Sequence, residues 1–258
     1  MPDPDRLRTL AADAARRSVA PFSGRPAGAA LRLADGRTVA APRLEVSAFP
    51  TTIPALVGAW ALASVAGQTP VAAAHTRPLT ASDLAFLAEA TDRPWRLDAP
   101  DAATAEGVEW PADAGPLPVL VTAPADDAAG LAAALDAARR ALVPASDFHV
   151  GALAIDAAGR AVWGANVELA SDWTRGLCAE RVALVAAHAA GLGPVVRLYV
   201  ACAKSPGGSP CGACRQALSD LAPDAAVVLW NGDAAPVLTS AADLLPGAFR
   251  GYGLARVG

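Results

Sequence analysis

The 258-residue sequence predicts an α/β protein built as two tandem α/β/α domains. Three observations carry that expectation. First, Asp13-Ala14-Ala15-Arg16-Arg17 recurs as Asp136-Ala137-Ala138-Arg139-Arg140, 123 residues on. The same offset, without a gap, pairs Gly28-Ala29 with Gly151-Ala152, Gly36-Arg37 with Gly159-Arg160, and Glu45 with Glu168. Second, helical and strand patterns alternate along each copy, which places helices on the faces of a sheet. Third, 53% hydrophobic and 18% charged residues supply ample core and argue against global disorder.

The elements follow in order. Each half opens with an alanine-rich helix ending in paired arginines, whose charge favours a helix C-terminus. A strand is expected at Pro26–Leu33 and again at His149–Ile155. A glycine turn follows, with the hairpin dipeptide Asp35-Gly36 in the first copy, and then a second strand up to Glu45 or Glu168. Helical patterns cover Pro54–Ala66 and Ala179–Ala190. The second half continues with a strand at Val195–Ala203, a helix from Cys211 to Leu221 and a strand at Ala225–Trp230. Asp98–Gly115, rich in Ala, Asp, Pro and Gly, reads as a loop, and Leu117–Thr122 as one more strand of the first half. The boundary falls near residues 124–128, giving domains 1–125 and 126–258.

Charge and apolar patterning exclude several classes of function. The formal net charge is −4, from 21 basic and 25 acidic residues, which disfavours a nucleic-acid-binding surface. The six tryptophans are scattered and form no stacking platform for a single strand. The most apolar stretch, Ile53–Gly67, contains Pro54 and is shorter than the roughly 20 residues of a membrane-spanning helix. The first residues, MPDPDRLRTL, lack the apolar run of a signal peptide, so a cytoplasmic location with reduced thiols is expected.

The four cysteines then read as metal chemistry rather than disulfides. Cys211-Gly212-Ala213-Cys214 lets two thiolates reach one ion, and Cys178 supplies a third ligand. Three protein ligands leave one tetrahedral position open, the arrangement of a catalytic zinc. Both ligand groups open helices, whose positive ends favour thiolate. Arg181 and Arg215 are placed to donate to the sulfurs. Glu180, two residues after Cys178, is the candidate proton shuttle beside a zinc-activated water. A closed site with His188 as fourth ligand is disfavoured, because His188 lies about 15 Å along the same helix. Cys202 reads as buried core, and His75 and His149 have no companion ligands.

Residues 127–258 resemble the cytidine deaminases in five motifs in the same order: Phe148-His149-Val150-Gly151-Ala152, Asn166-Val167-Glu168, CAERVA from Cys178, PCGACRQ from Pro210, and Leu244-Leu245-Pro246-Gly247-Ala248-Phe249. The resemblance implies a mixed sheet of about five strands per domain with helices on both faces. It implies one Zn²⁺ per chain, in the C-terminal domain, held by Cys178, Cys211 and Cys214. It implies hydrolytic deamination of cytidine or deoxycytidine, with release of ammonia, zinc-bound hydroxide as nucleophile and Glu180 as general acid/base. Asn166 and Glu168 would bond the ribose hydroxyls, and Phe148 would line the base pocket. The backbone N–H of Ala179 would contact the pyrimidine, and Phe249 would pack over the base across a subunit boundary.

Two departures leave the substrate open. The aromatic residue usual four positions after the ribose glutamate is replaced by Asp172, followed by Trp173, and the segment Ala203–Ser209 lacks the usual acidic character. A modified cytosine nucleoside or a blasticidin-type antibiotic is the alternative substrate, and a zinc-stabilised binding module the alternative from another class.

The offset places Ala55 at Cys178 and Val57 at Glu180, so the first half reads as a degenerate copy without metal. That copy keeps the aromatic residue, Phe49, four positions after Glu45, and Phe49 is a candidate contributor to a composite site. The expected assembly is a homodimer of two-domain chains.

Overall fold

A computed structural model describes residues 4–205, 207–232 and 235–251; Pro206 of the Ala203–Ser209 segment lies outside them. The first half runs α1 (Pro4–Ala15), β1 (Gly28–Leu33), β2 (Thr38–Pro42), α2 (Ala55–Val65), β3 (Pro70–His75), α3 (Ala81–Thr91), β4 (Trp95–Ala99) and β5 (Ala102–Ala105). The second runs β6 (Leu120–Val121), α4 (Asp127–Ala138), β7 (Gly151–Asp156), β8 (Ala161–Ala165), α5 (Ala179–Ala189), β9 (Val195–Ala201), α6 (Gly212–Leu221), β10 (Ala226–Trp230), β11 (Val237–Ser240) and α7 (Ala241–Leu244). Single 3₁₀ turns at Phe49–Thr51 and Trp173–Arg175 precede α2 and α5.

The strands form two sheets, of five strands in the order β2-β1-β3-β5-β4 and of six in the order β11-β10-β9-β7-β8-β6. The second sheet is mixed, because α6 carries the chain from β9 to a parallel β10. In the first sheet every pairing is antiparallel. There the chain leaves α3 for the sheet edge and returns through the β4–β5 hairpin, so β5 meets β3 head to tail.

Successive strand residues face opposite layers, and the core divides accordingly. In β1, Ala29, Leu31 and Leu33 face the layer of α2, while Ala30 joins Leu7 and Ala11 of α1. In β9, Leu198 and Val200 join the central core, while Tyr199 and Ala201 pack with Ala134 of α4. Gly28 and Gly151 let the outer helices approach closely: a Cβ would sit 2.1 Å from the Ala11 carbonyl oxygen and 1.9 Å from that of Ala134. One apolar core spans both halves, with α2 against α5. Helix α2 is buried on nearly all sides, as expected of a helix with no polar face. Among the described residues no helix is long and apolar enough to cross a membrane.

Three expectations are corrected. The loop expected at Asp98–Gly115 contains β5 and the end of β4. Strand β5 is Ala-Ala-Thr-Ala, buried on both faces, so it shows neither alternation nor bulky β-formers. The strand expected at Leu117–Thr122 shrinks to β6, which pairs with β8 of the second sheet. Pro116 still bridges to Thr38, so this segment passes from one sheet to the other. Third, the repeat holds at 123 residues for α1/α4, β1/β7 and β2/β8, then slips to 124 at the 3₁₀ turns and at α2/α5. The residue equivalent to Cys178 is therefore Pro54, and that equivalent to Glu180 is Leu56, rather than Ala55 and Val57. Neither offers a ligand or a carboxylate.

Candidate metal centre and active-site cavity

Cys178 is the N-cap of α5 and Cys211 the N-cap of α6, with Cys214 in the first turn of α6. Parallel β9 and β10 set α6 beside α5, which brings the three thiols together. Their sulfurs lie within 4.8 Å of one another, with Cys178–Cys211 and Cys211–Cys214 at 3.6 Å. A tetrahedral zinc with Zn–S of about 2.3 Å needs sulfurs roughly 3.8 Å apart, so the donor set fits the ion in both chemistry and spacing. Among the described residues this is the sole such cluster, and His188 is no part of it. The thiols bond one another in a way that favours ionisation of Cys211 and opposes that of Cys178 and Cys214.

Cys178 and Cys211 of the cluster line a cavity of about 490 Å³, with Cys214 buried behind them. Glu180 is buried and lines it, and burial pushes its carboxyl above the usual range, with the Cys211 charge adding to the effect. Phe148, Asn166 and Glu168 also line the cavity. Asn166 accepts from the Val150 N–H at 2.8 Å and donates to the Phe148 carbonyl at 2.7 Å. Glu168 accepts from the Ser146 hydroxyl at 2.5 Å and from the Ala145 and Ser146 N–H groups. The same cradle recurs in the first half, where Glu45 accepts from the Ser23 hydroxyl and from the Phe22 and Ser23 N–H groups. This carboxylate therefore organises its turn even where no cysteines are present. Arg43 stands where Asn166 would and pairs with Glu45 at 2.9 Å.

Some sequence-derived residues sit elsewhere. Arg181 lines the cavity, but its Nη2 donates to the Thr51 carbonyl at 2.8 Å. Arg215 donates to the carbonyls of Pro210 and Leu244 and to the Ser209 hydroxyl. The expectation that these guanidiniums donate to the sulfurs is thus corrected: backbone carbonyls at the loop ends and across the two halves take them instead. Ala179 is buried as the first residue of α5. Phe249 (57% exposed) and Phe49 (80% exposed) lie outside the cavity of their own chain.

The aromatic residue expected to be missing after Glu168 is present. Trp173 opens its 3₁₀ turn as Phe49 opens the equivalent one, 124 residues earlier, and Trp173 lines the cavity. One extra residue before the turn hides this equivalence at a fixed offset. Cys202, read as inert core, is buried but also lines the cavity, as do Ser205 and Asn231. Asn231 donates to the Gly208 carbonyl and so closes the loop before Cys211. Its signal in the sequence was the Asn231-Gly232 turn after β10.

Residues 124–230 match the family described as cytidine and deoxycytidylate deaminase zinc-binding region. A cytidine deaminase of Halalkalibacterium halodurans is 42% identical over 119 residues, which are 45% of this chain and 88% of that protein. One of Sporosarcina psychrophila is 37% identical over 114 residues, 44% of this chain and 83% of that one. A crystal structure of cytidine deaminase from Burkholderia pseudomallei shares 41% identity, with a TM-score of 0.45, covering 48% of this chain and 99% of that one.

Proposed function

Since the chain belongs to the cytidine deaminase family of hydrolases acting on C–N bonds, we propose that it deaminates cytidine and deoxycytidine to the uracil nucleosides, with release of ammonia, in the cavity beside its three cysteines. The observation that carries this reading is the cluster of Cys178, Cys211 and Cys214 beside a cavity that Cys178, Cys211 and Glu180 line. Cys178, Cys211 and Cys214 would hold one zinc as thiolates. The chemistry that a zinc held there would supply is activation of a water, whose pKa falls from about 15.7 to about 7 on such an ion.

Glu180 takes one proton from the attacking water and delivers it to the ring nitrogen beside the reacting carbon, then takes the second from the oxygen now on that carbon and delivers it to the departing amino group. Oxygen is added to that carbon as the C–N bond breaks, and ammonia carries the amine away. A raised carboxyl pKa suits a group that alternates between acid and base. Phe148 and Trp173 supply the apolar walls for the base. Asn166 and Glu168 face the ribose with the acceptor capacity left after their bonds to the β7 turn. The Ala179 N–H, at the start of α5, addresses the pyrimidine edge. Residues 1–125 form a non-catalytic domain joined to a catalytic domain, 126–258, whose sheet also takes in β6 from the end of the first. Phe49 and Phe249, exposed outside the cavity, serve a second copy in a homodimer.

The test is loss of ultraviolet absorbance on cytidine with zinc-loaded protein. Glu180→Gln should keep zinc and lose about 10²–10⁴-fold in rate. An active Glu180→Gln variant would remove the shuttle, and an inactive wild type would turn the reading toward a modified cytosine nucleoside.

A further inference from the structure

We propose that Glu89, on α3 of the half without cysteines, is a positioning residue that holds one wall of the cavity in the other half and thereby sets its affinity for the base. The wall is the segment Ser171–Gly176, from which Trp173, Thr174 and Gly176 line the cavity.

The base of this segment is fixed within its own half. Val167 and Leu177 exchange two backbone hydrogen bonds at 2.9 Å. Gly176 packs so closely that a Cβ would lie 2.1 Å from the Val167 carbonyl oxygen. Within the tip, the Asp172 carboxylate accepts from its neighbour Thr174 and its carbonyl from the Arg175 N–H at 3.1 Å, bonds that stay inside the segment. Among the described residues, both side-chain hydrogen bonds that tie this tip to the rest of the chain end on Glu89. The Ser171 hydroxyl donates to one carboxylate oxygen, and Arg175 donates to the other at 2.5 Å. The two donors flank Trp173, so one carboxylate grips the segment on both sides of its aromatic residue.

The grip is itself anchored. The Arg175 guanidinium lies 5.9 Å over the Phe86 ring. Phe86, one turn before Glu89 on α3, is buried and meets Trp60 of α2 edge-on at 5.4 Å. The chain of contacts thus runs from the apolar core of the first half through α3 to the cavity wall. Trp173 is 64% exposed, so its packing alone does not hold it.

The kinetic part of the test rests on the cytidine reading, and the exchange part does not. Glu89→Ala should raise amide hydrogen exchange in a peptide covering 169–177 and leave exchange at Cys211–Leu221 and the zinc content unchanged. On cytidine, it should raise KM about three- to tenfold with kcat within about twofold, the size expected for a half-exposed charged pair. The reversed pair Glu89→Arg with Arg175→Glu should recover most of the loss. Glu89→Gln, which preserves volume, covers the case in which the alanine variant does not fold. Unchanged exchange at 169–177 in a folded variant would overturn the proposal, as would a loss of kcat and thermal midpoint together with no rescue by the reversed pair. A wild type inactive on cytidine would refute the substrate reading and leave the exchange result to decide this one.

Discussion

Ser47 gives its backbone N–H and its hydroxyl to the carboxylate of Asp220, at 2.6 and 3.1 Å. The bond joins a residue two places after Glu45 to the last turn of α6, the helix that Cys211 begins. Gln216, one turn earlier, donates to the same carboxylate at 3.1 Å and to the Phe249 carbonyl at 2.9 Å. Ser47 is buried, so Asp220→Ala strands a buried N–H and should cost about 1–3 kcal/mol. A urea titration should show a lower midpoint with an unchanged slope, and Asp220→Asn, which keeps one acceptor, should lose less. An unchanged midpoint in both would mean that the packing of α2 on α5 and the other bonds between the halves hold them together without Asp220.

The thiol cluster separates from the lone cysteine by metal content. Cys211→Ser should bring bound zinc well below one equivalent per chain after dialysis. Cys202→Ser, outside the cluster though on the cavity wall, should retain a full equivalent. Stripping the metal with a chelator should lower the thermal midpoint of the wild type, because an ion that binds only the folded state stabilises it by mass action. Equal zinc content in the two variants would place the ion elsewhere.

Motif spacing made the thiol cluster legible, because Cys178, Cys211 and Cys214 sit at local helix starts that a sequence records directly. The tandem repeat was legible for the same reason, in elements where the offset stays at 123 residues. The cavity wall at Trp173 was not, since one inserted residue breaks the offset within an irregular loop. Nor was α3 foreseen, although Thr80 and Asp83 form a reciprocal capping box at its start, a local signal available in the sequence. Strand β5 escaped because alanine carries little strand preference, and only burial on both faces makes it a strand. The bonds from Glu89 and Ser47 into the other half span long sequence separations, which no local pattern encodes.

His75, at the end of β3, is buried, and its imidazole is held down to a pKa of about 4, chiefly by burial, with Arg77 and Arg43 adding to it and Asp83 opposing. The Arg77 N–H donates to its Nδ1 at 3.1 Å, which favours the neutral ring. An unfolded chain protonates this histidine near pH 6.5. Between about pH 6.5 and 4 the unfolded state therefore binds the extra proton, so stability falls as pH falls through this window. The contribution is fully present above pH 6.5, and up to roughly 3 kcal/mol is lost by pH 4. His75→Asn keeps an acceptor for Arg77 and should flatten the pH dependence of the urea midpoint over that range. The remaining slope should come in part from His188, whose pKa burial also lowers. An unaltered slope would mean that His75 titrates alike in both states.

Trp173 and Phe49 open equivalent turns, but only Trp173 reaches the cavity of its own chain. Stacking of a base on an aromatic ring is worth about 1–3 kcal/mol, so Trp173→Ala should raise KM for cytidine by roughly tenfold or more. Trp173→Phe should recover most of that. Phe49 is 80% exposed, and its turn is tied to the second half through the Thr51 carbonyl and Arg181. Phe49→Ala should therefore leave KM unchanged in a single chain and raise it only where a second copy receives the ring. Measuring KM for this variant across the protein concentrations at which sedimentation shows assembly separates the two cases. A rise that tracks assembly places Phe49 in a partner's site. A KM that stays level from monomer to oligomer makes Phe49 a surface residue and leaves Trp173 and Phe148 as the aromatic walls for the base.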